Sequence, residues 1–235
     1  MTTTSGTTPH RSAGAVDLPE FAVDAVLLDL DGTLVDSASA LVRTWSRWAA
    51  EHSVTPDQMR AVVAHGLTAA ALVAALLPAE QVAAGLARID ELEIADVEDV
   101  TALAGSEAFV SALPVERWAI VTSGNRRVAE VRLEAAGLVP PPVMVTADDV
   151  CRGKPDPEPF LLGAARLDVA PSRCLVVEDS PAGLAAARAA GMATVGVTTT
   201  HPARDLHADH VVEGLQNLRV DVDGGRLTIG VTGTA

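Results

Sequence analysis

The sequence predicts an α/β fold: a doubly wound parallel sheet with a helical cap inserted after its first strand. Three observations carry this. Short apolar, β-branched runs at 25–30, 118–122, 143–146, 174–177, 193–197 and 210–212 each end in a polar or glycine-bearing loop. Helical patterns separate most of them, at 125–136 closed by Gly137, 158–167, and 182–190 closed by Gly191. Strands alternating with helices of this length pack as a parallel sheet covered on both faces. The interval 37–104 breaks the rhythm, with no strand pattern but apolar residues at three- and four-residue spacing.

In chain order, residues 1–20 are rich in Thr, Ser, Gly and Ala without an apolar segment, which predicts a disordered tail rather than a signal peptide. The run at 25–30 opens a core made of 21–36 and 105–235. Between these pieces, helices are expected at 39–51, 56–63, 68–77 and 79–98, with Pro56 and Pro78 at first turns. This cap, 37–104, joins the core at hinges near 35–37 and 102–106; it can close over the strand ends and exclude water, or serve as an extra helical layer with no motion. Glycine just past the last periodic residue stops the core helices. At the end, 218–229 with Asp223-Gly224-Gly225 reads as a small hairpin or edge strand.

Composition narrows the function. Hydrophobic residues make up 49% and aromatics 3%, so the core is aliphatic and base-stacking platforms are not expected. With 17 Lys+Arg against 31 Asp+Glu, the formal net charge of −14 opposes phosphate backbones and anionic membrane surfaces. No nucleic-acid or membrane partner is expected. Cys151 and Cys174 make neither a disulfide framework nor a metal-ligand spacing, which fits reduced thiols in a cytoplasmic protein, with Cys174 a small core residue.

Four strand ends carry chemistry. Val26-Leu27-Leu28-Asp29-Leu30-Asp31-Gly32-Thr33 places two carboxylates at the rim of a sheet, where open parallel sheets bind ligands. Asp29 is a candidate nucleophile toward a phosphoryl group, and Asp31 a general acid and base; the amides from Leu30 through Gly32 and Thr33 can face a phosphate. Taken alone, Asp-x-Asp-Gly is a weak signal that also fits a polar turn. Thr122, followed by Ser123, Gly124 and Asn125 where a helix begins, offers a neutral anion-binding rim. Ordinary capping by Ser123 or Asn125 is the competing reading. Lys154, the only lysine in the chain, sits in Gly153-Lys154-Pro155-Asp156-Pro157-Glu158-Pro159, where Asp156-Pro157 reads as a helix start. A compact ammonium suits phosphate and a nearby nucleophilic carboxylate. Finally, Glu178 and Asp179 follow Leu175-Val176-Val177 and can complete an oxygen-ligand set with Asp29 and the Asp31 carbonyl, suited to Mg²⁺; capping of the next helix by Asp179 or Ser180 is the competing reading.

With these four strings the chain resembles the haloacid dehalogenase superfamily, over about residues 23–212. The resemblance implies a Rossmann-like core and the four-helix cap of the first subclass. It also implies that Asp29 is nucleophile and metal ligand, Asp31 acid/base with its carbonyl on Mg²⁺, and Asp179 a metal ligand with Glu178, while Thr122 and Lys154 bind the phosphoryl group. Within the family, Val121-Thr122-Ser123-Gly124, Thr146-Ala147-Asp148-Asp149-Val150, Gly153-Lys154-Pro155 and Val177-Glu178-Asp179-Ser180-Pro181-Ala182-Gly183 are similar to sugar- and glycerol-phosphate phosphatases, including those acting on 2-deoxyglucose 6-phosphate. In such enzymes the cap loop carrying His65-Gly66 lies over the substrate, and Leu67-Thr68-Ala69-Ala70 follows here in place of the usual large polar side chain.

The expected function is therefore Mg²⁺-dependent hydrolysis of a small phosphorylated sugar or polyol through an aspartyl-phosphate, by a monomer. The nearest rival is a sugar phosphomutase of the same fold, but those carry a histidine where Leu41 stands and basic residues including lysine in the cap; this cap has no lysine. A phosphonatase needs a cap lysine as well, and dehalogenases lack the acid at Asp31. A catalytically silent binding protein would have no chemical need for Asp29, Asp31, Lys154 and Asp179 together. Arg43, Arg47 and His65 are candidate substrate contacts from the cap. Arg126 and Arg127 read as a solvated first helical turn.

Overall fold

Alternation of side chains on buried strands builds the sheet and the two layers that cover it. The structure, a computed structural model, describes residues 19–63, 68–223 and 226–233. Its strands are β1 (Glu20–Val23), β2 (Ala25–Leu28), β3 (Val35–Asp36), β4 (Thr101–Ala102), β5 (Trp118–Val121), β6 (Met144–Val145), β7 (Cys174–Glu178), β8 (Ala193–Val197), β9 (His210–Val212), β10 (Leu218–Asp223) and β11 (Arg226–Val231). The helices are α1 (Ala38–Glu51), α2 (Pro56–Val63), α3 (Ala69–Leu76), α4 (Ala79–Ala95), α5 (Ser106–Ala112), α6 (Arg126–Ala135), α7 (Glu158–Arg166) and α8 (Pro181–Ala189).

Six strands form one parallel sheet in the order β6-β5-β2-β7-β8-β9. Along β2, Val26 and Leu28 face one cluster with Ile120, Leu175 and Val177, while Ala25 and Leu27 face another with Ala119, Val121 and Val176. Both faces of the strand are buried, as a parallel sheet between helices requires. Phe160 and Ala164 of α7 and Ala186 and Ala187 of α8 cover one face; Ala129 and Leu133 of α6 and Phe109 of α5 cover the other. The chain runs outward from β2 through β5 to β6, then returns to β7 and runs outward the other way. The reversal lies beside β2, the position at which such sheets bind ligands.

The insertion has its own core of Trp48, Val73, Leu77, Ile89 and Leu92, where the Trp48 indole donates to the Gly85 carbonyl at 2.7 Å. Arg43 binds Asp96 and Asp99 with its guanidinium, fixing the chain just past α4. Helix α4 accordingly stops at Ala95, short of the expected 98.

Four features depart from the sequence expectation. Glu20, expected in the tail, begins β1 and pairs with Gly230. Thr101–Ala102, inside the interval expected to hold no strand, pairs antiparallel with Val35–Asp36, so a two-stranded ribbon joins the insertion to the core. Two-residue strands leave no periodic pattern to read. Helix α5 was not expected, and the expected hairpin, β10–β11, is extended by β1 into a three-stranded antiparallel sheet packed through Leu227 and Ile229 onto the α5–α6 side of the core. Among the described residues, no helix is long and apolar enough to cross a membrane.

Cys174 is fully buried at the start of β7, whereas Cys151 is exposed. Burial, reinforced by the Asp24 charge, pushes the Cys174 thiol up to about 11. An alkylating reagent at pH 8 is expected to modify one thiol of the folded protein, Cys151, and the second only after denaturation; mass spectrometry of native protein labelled at Cys174 would contradict this packing.

Candidate active site

The carboxyl ends of β2, β5 and β7 meet the loop before α7 at one point. Leu28 is in register with Ile120 and Val177, and the Asp29 amide continues the ladder to the Val177 carbonyl at 3.1 Å. Asp29 therefore emerges beside Glu178 and Asp179. After it the chain turns tightly: the Leu34 and Val35 amides both donate to the Leu30 carbonyl, at 2.8 and 3.0 Å. Gly32 makes that turn with φ +84°, and a methyl there would lie 2.4 Å from Asp179 Oδ2. Only glycine meets both demands.

Lys154 lies between the acids. Its Nζ donates to Asp29 Oδ1 and Glu178 Oε1, each at 2.6 Å, and all three side chains are buried. The Phe160 ring centroid is 5.2 Å from the ammonium. Burial alone would neutralise a lysine, but Asp29 and Glu178 outweigh it and hold this one above its ordinary value. Burial raises Asp29 well above the usual carboxylate range, Lys154 opposes that rise, and Glu178 and Asp179 add to it. Burial, followed by the Glu178 charge, lifts Asp179 to about 7.

Asp29, Glu178 and Asp179 each offer a ligand oxygen, all within 4.8 Å of one another. Glu178 has spent both of its oxygens, Oε1 on Lys154 and Oε2 on the Ser180 amide and hydroxyl at 2.7 and 2.8 Å. Asp29 gives only Oδ1 to Lys154, and Asp179 gives Oδ2 to the Thr200 hydroxyl. A hard, all-oxygen donor set with carboxylates in excess of cations fits Mg²⁺. Glu178, expected as a ligand, belongs to this set of oxygens and also supports Lys154.

Asp31 is held separately. Ser37 donates to its Oδ1 at 2.6 Å and Arg132 Nη1 to its Oδ2 at 2.7 Å. Arg132, from α6, is 3% exposed, and its Nη2 is 3.4 Å from Glu93 on α4 of the insertion. Burial raises Glu93 to about 7, against the opposing pull of Arg132. Neither Arg132 nor Glu93 was singled out in the sequence, although each is a charged residue at an apolar-face position. Arg132 falls three and four residues after Ala129 and Val128, and Glu93 four after Ile89.

These groups line a cavity of about 870 Å³ between sheet and insertion. Asp29, Asp31, Thr122, Ser123, Gly124, Lys154, Glu178 and Asp179 all reach it, with Leu41, Trp45, Thr68 and Leu72 on the insertion side. The Thr122 hydroxyl accepts from the Gly124 amide at 3.1 Å, and Thr33 is buried with its hydroxyl unpartnered. Asn125 does not join this rim: its Oδ1 caps α6 through the Val128 amide at 2.8 Å, the ordinary helix-capping role. Arg43 and Arg47 do not line the cavity; they pair with Asp96 and Asp99, and with Glu51. Arg126 packs against Asp149, and Arg127 against Glu130. His65 and Gly66 lie outside the described residues.

The family model "haloacid dehalogenase-like hydrolase" matches residues 23–191. The chain belongs to this family of hydrolases. It is 41% identical over 200 residues to hexitol phosphatase A of Escherichia coli (strain K12), covering 83% of this chain and 92% of that one. It is 37% identical over 206 residues to validoxylamine A 7'-phosphate phosphatase of Streptomyces hygroscopicus subsp. limoneus, covering 82% and 94%. Among solved structures, a hydrolase from Pseudomonas syringae superposes with a TM-score of 0.71 at 26% identity, over 81% of this chain and 93% of that one.

Gly183 tests the packing around Lys154. It lies in the first turn of α8, where alanine would ordinarily gain up to about 1 kcal/mol from helix propensity. Its methyl would fall 1.8 Å from Glu178 Oε1. Gly183→Ala is therefore expected to destabilise the protein by about 1–3 kcal/mol in urea unfolding; a stabilised variant would show that the Glu178 carboxylate is not fixed there.

Proposed function

We propose that this chain is a Mg²⁺-dependent phosphatase, acting in the cytoplasm on a small sugar or polyol phosphate through an aspartyl-phosphate. The observation that carries it is the buried Asp29–Lys154–Glu178 network beside Asp179, at the sheet's ligand-binding edge and beneath a separate helical layer. The resemblance to named phosphatases across most of the chain supports it. We divide the chain into a core, 21–36 and 105–235, and a cap, 37–104.

Asp29, aimed into the cavity, attacks phosphorus in line with the departing alkoxide and becomes the acyl phosphate. Lys154 offsets the charge that spreads over the phosphoryl oxygens while keeping Asp29 oriented. Thr122 and the Ser123 and Gly124 amides hold the same oxygens without adding charge. Asp31 gives its proton to the leaving oxygen, then takes one from the water that attacks the acyl phosphate, returning Asp29 and releasing phosphate. Mg²⁺, held by Asp29, Asp179 and the Asp31 carbonyl, would supply the positive charge that lets a phosphate dianion enter among five carboxylates. Leu41 lines the cavity where the phosphomutases carry a histidine, which supports hydrolysis over transfer to a second hydroxyl.

The insertion also bears on the substrate. All four of its arginines pair with acids, Arg43 with Asp96 and Asp99, Arg47 with Glu51, Arg60 with Asp57, and Arg88 with Glu51 and Glu91. Among the described residues, its cavity lining is apolar apart from Thr68 and the acid Glu93. A substrate whose far end is uncharged and hydroxylated suits that lining; a second anion does not. In a phosphate-release assay, hexitol and glycerol phosphates should exceed phosphoglycolate and sugar bisphosphates by about tenfold or more in kcat/KM, with activity lost to EDTA and restored by Mg²⁺. A preference for the doubly anionic substrates would refute the neutral-end assignment, and no release from any of them would refute the phosphatase itself. Asp29→Asn should lower turnover at least about 10³-fold while phosphate binding persists; residual turnover near wild type would remove Asp29 from the nucleophile's role.

A further inference from the structure

We infer that Arg132 is a positioning residue for Asp31 as proton donor to the leaving group, and that its contact with Glu93 ties this alignment to the seated insertion. The inference rests on the phosphatase reading and extends it to a residue outside the four strand-end strings. Arg132 comes from the middle of α6, ten residues past Thr122, where its neighbours Val128, Ala129, Val131 and Leu133 are all buried. A charge among them is costly unless paired. Arg132 is paired on both forks, to Asp31 on the core and to Glu93 on the insertion.

Distances separate positioning from simple docking. The contact to Asp31, 2.7 Å, is a charge-assisted hydrogen bond; that to Glu93, 3.4 Å, is looser. With Ser37 on the other oxygen, both Asp31 oxygens have fixed donors, so the carboxyl cannot rotate freely about its terminal bond. A carboxyl that must reach a leaving oxygen in one geometry and a water in the next step gains from such restraint. The guanidinium fork also keeps Asp31 and Glu93, two carboxylates from opposite sides of the cavity, from repelling one another when the insertion is seated. The Arg132 Nε is buried without a partner, so the side chain is placed for its two terminal nitrogens.

The leaving group provides the readout, because proton donation matters for an alkoxide and hardly at all for 4-nitrophenolate. Wild type, Arg132→Met and Arg132→Lys are compared on glycerol phosphate and 4-nitrophenyl phosphate, using kcat/KM, which reports phosphoryl transfer to Asp29. Arg132→Met should lose about 10²-fold on glycerol phosphate and less than about tenfold on 4-nitrophenyl phosphate. Arg132→Lys, which keeps the buried charge but can reach only one acid, should fall between, with the same asymmetry. Glu93→Gln, which weakens the tie of Arg132 to the insertion, should show the same asymmetry to a smaller extent; an equal loss on both substrates would overturn the tie to the insertion. Equal losses on the two substrates in both Arg132 variants, or no loss, would overturn the positioning role while leaving the phosphatase reading intact. If Arg132→Met does not fold, Arg132→Lys decides alone by the same criterion. A wild type inactive on both substrates would overturn both readings.

Discussion

The buried ion triplet of Lys154, Asp29 and Glu178 is the constraint around which the remainder of the site is arranged. Three groups that water would solvate strongly are held where solvent is excluded, and each is tolerable only with the others present. Asp29 comes from the end of β2, Lys154 from the loop before α7, and Glu178 from the end of β7, so the triplet joins segments 125 and 24 residues apart. Its geometry sets what neighbouring positions can hold. Gly32 and Gly183 lack side chains where the Asp179 and Glu178 carboxylates need the space, and Ser180 turns its amide and hydroxyl onto the second Glu178 oxygen. Glu178 thereby braces the ammonium while remaining in the same cluster of ligand oxygens as Asp29 and Asp179.

A second network repeats the pattern farther out. Arg132 stands between Asp31 and Glu93 as Lys154 stands between Asp29 and Glu178. The choice of cation follows the geometry required. The inner position holds a point charge that, on the proposed function, also faces the incoming phosphate, and the outer one a planar fork spanning two acids on different layers. Together the five acids Asp29, Asp31, Glu93, Glu178 and Asp179 exceed Lys154 and Arg132, which leaves the cavity negative. Burial, with the neighbouring acids adding to it, raises the pKa values of Asp29 and Asp179, and on the proposed function a phosphate dianion enters together with a divalent cation.

Much of this was legible from the chain because the strands of a parallel sheet are short and apolar, and because its chemistry follows immediately after them. Each expected core strand matches an observed one to within two residues at either end, and Lys154 stood out as the sole lysine. What escaped has physical reasons. The ribbon of Val35–Asp36 and Thr101–Ala102 is too short to show a period, and β1 is a four-residue edge of which only Val23 is buried. Asn125 carried two readings in the sequence, and the nearby Val128 amide selects capping. Arg132 and Glu93 were visible as charged residues on apolar stripes, but a stripe alone does not reveal that two such residues, on different helices, face one another.

The point of insertion explains why these networks can act together. The chain leaves Asp29 and reaches Val35, the first residue of the connecting ribbon, only six positions later. Ser37, at the entrance to α1, already holds one oxygen of Asp31. The covering layer is thus tethered within a few residues of the acids it covers, on the β2 side, and it meets them again through Glu93 and Arg132 on the α6 side. Seating the layer places Leu41, Trp45 and Leu72 over the cavity. The apolar lining can distinguish substrates by shape but offers little polar recognition. The Glu93 carboxyl, the one charged group of the insertion among the described lining residues, is engaged with the residue holding Asp31. On the proposed mechanism, recognition of the leaving group and alignment of the acid that protonates it converge on the same guanidinium.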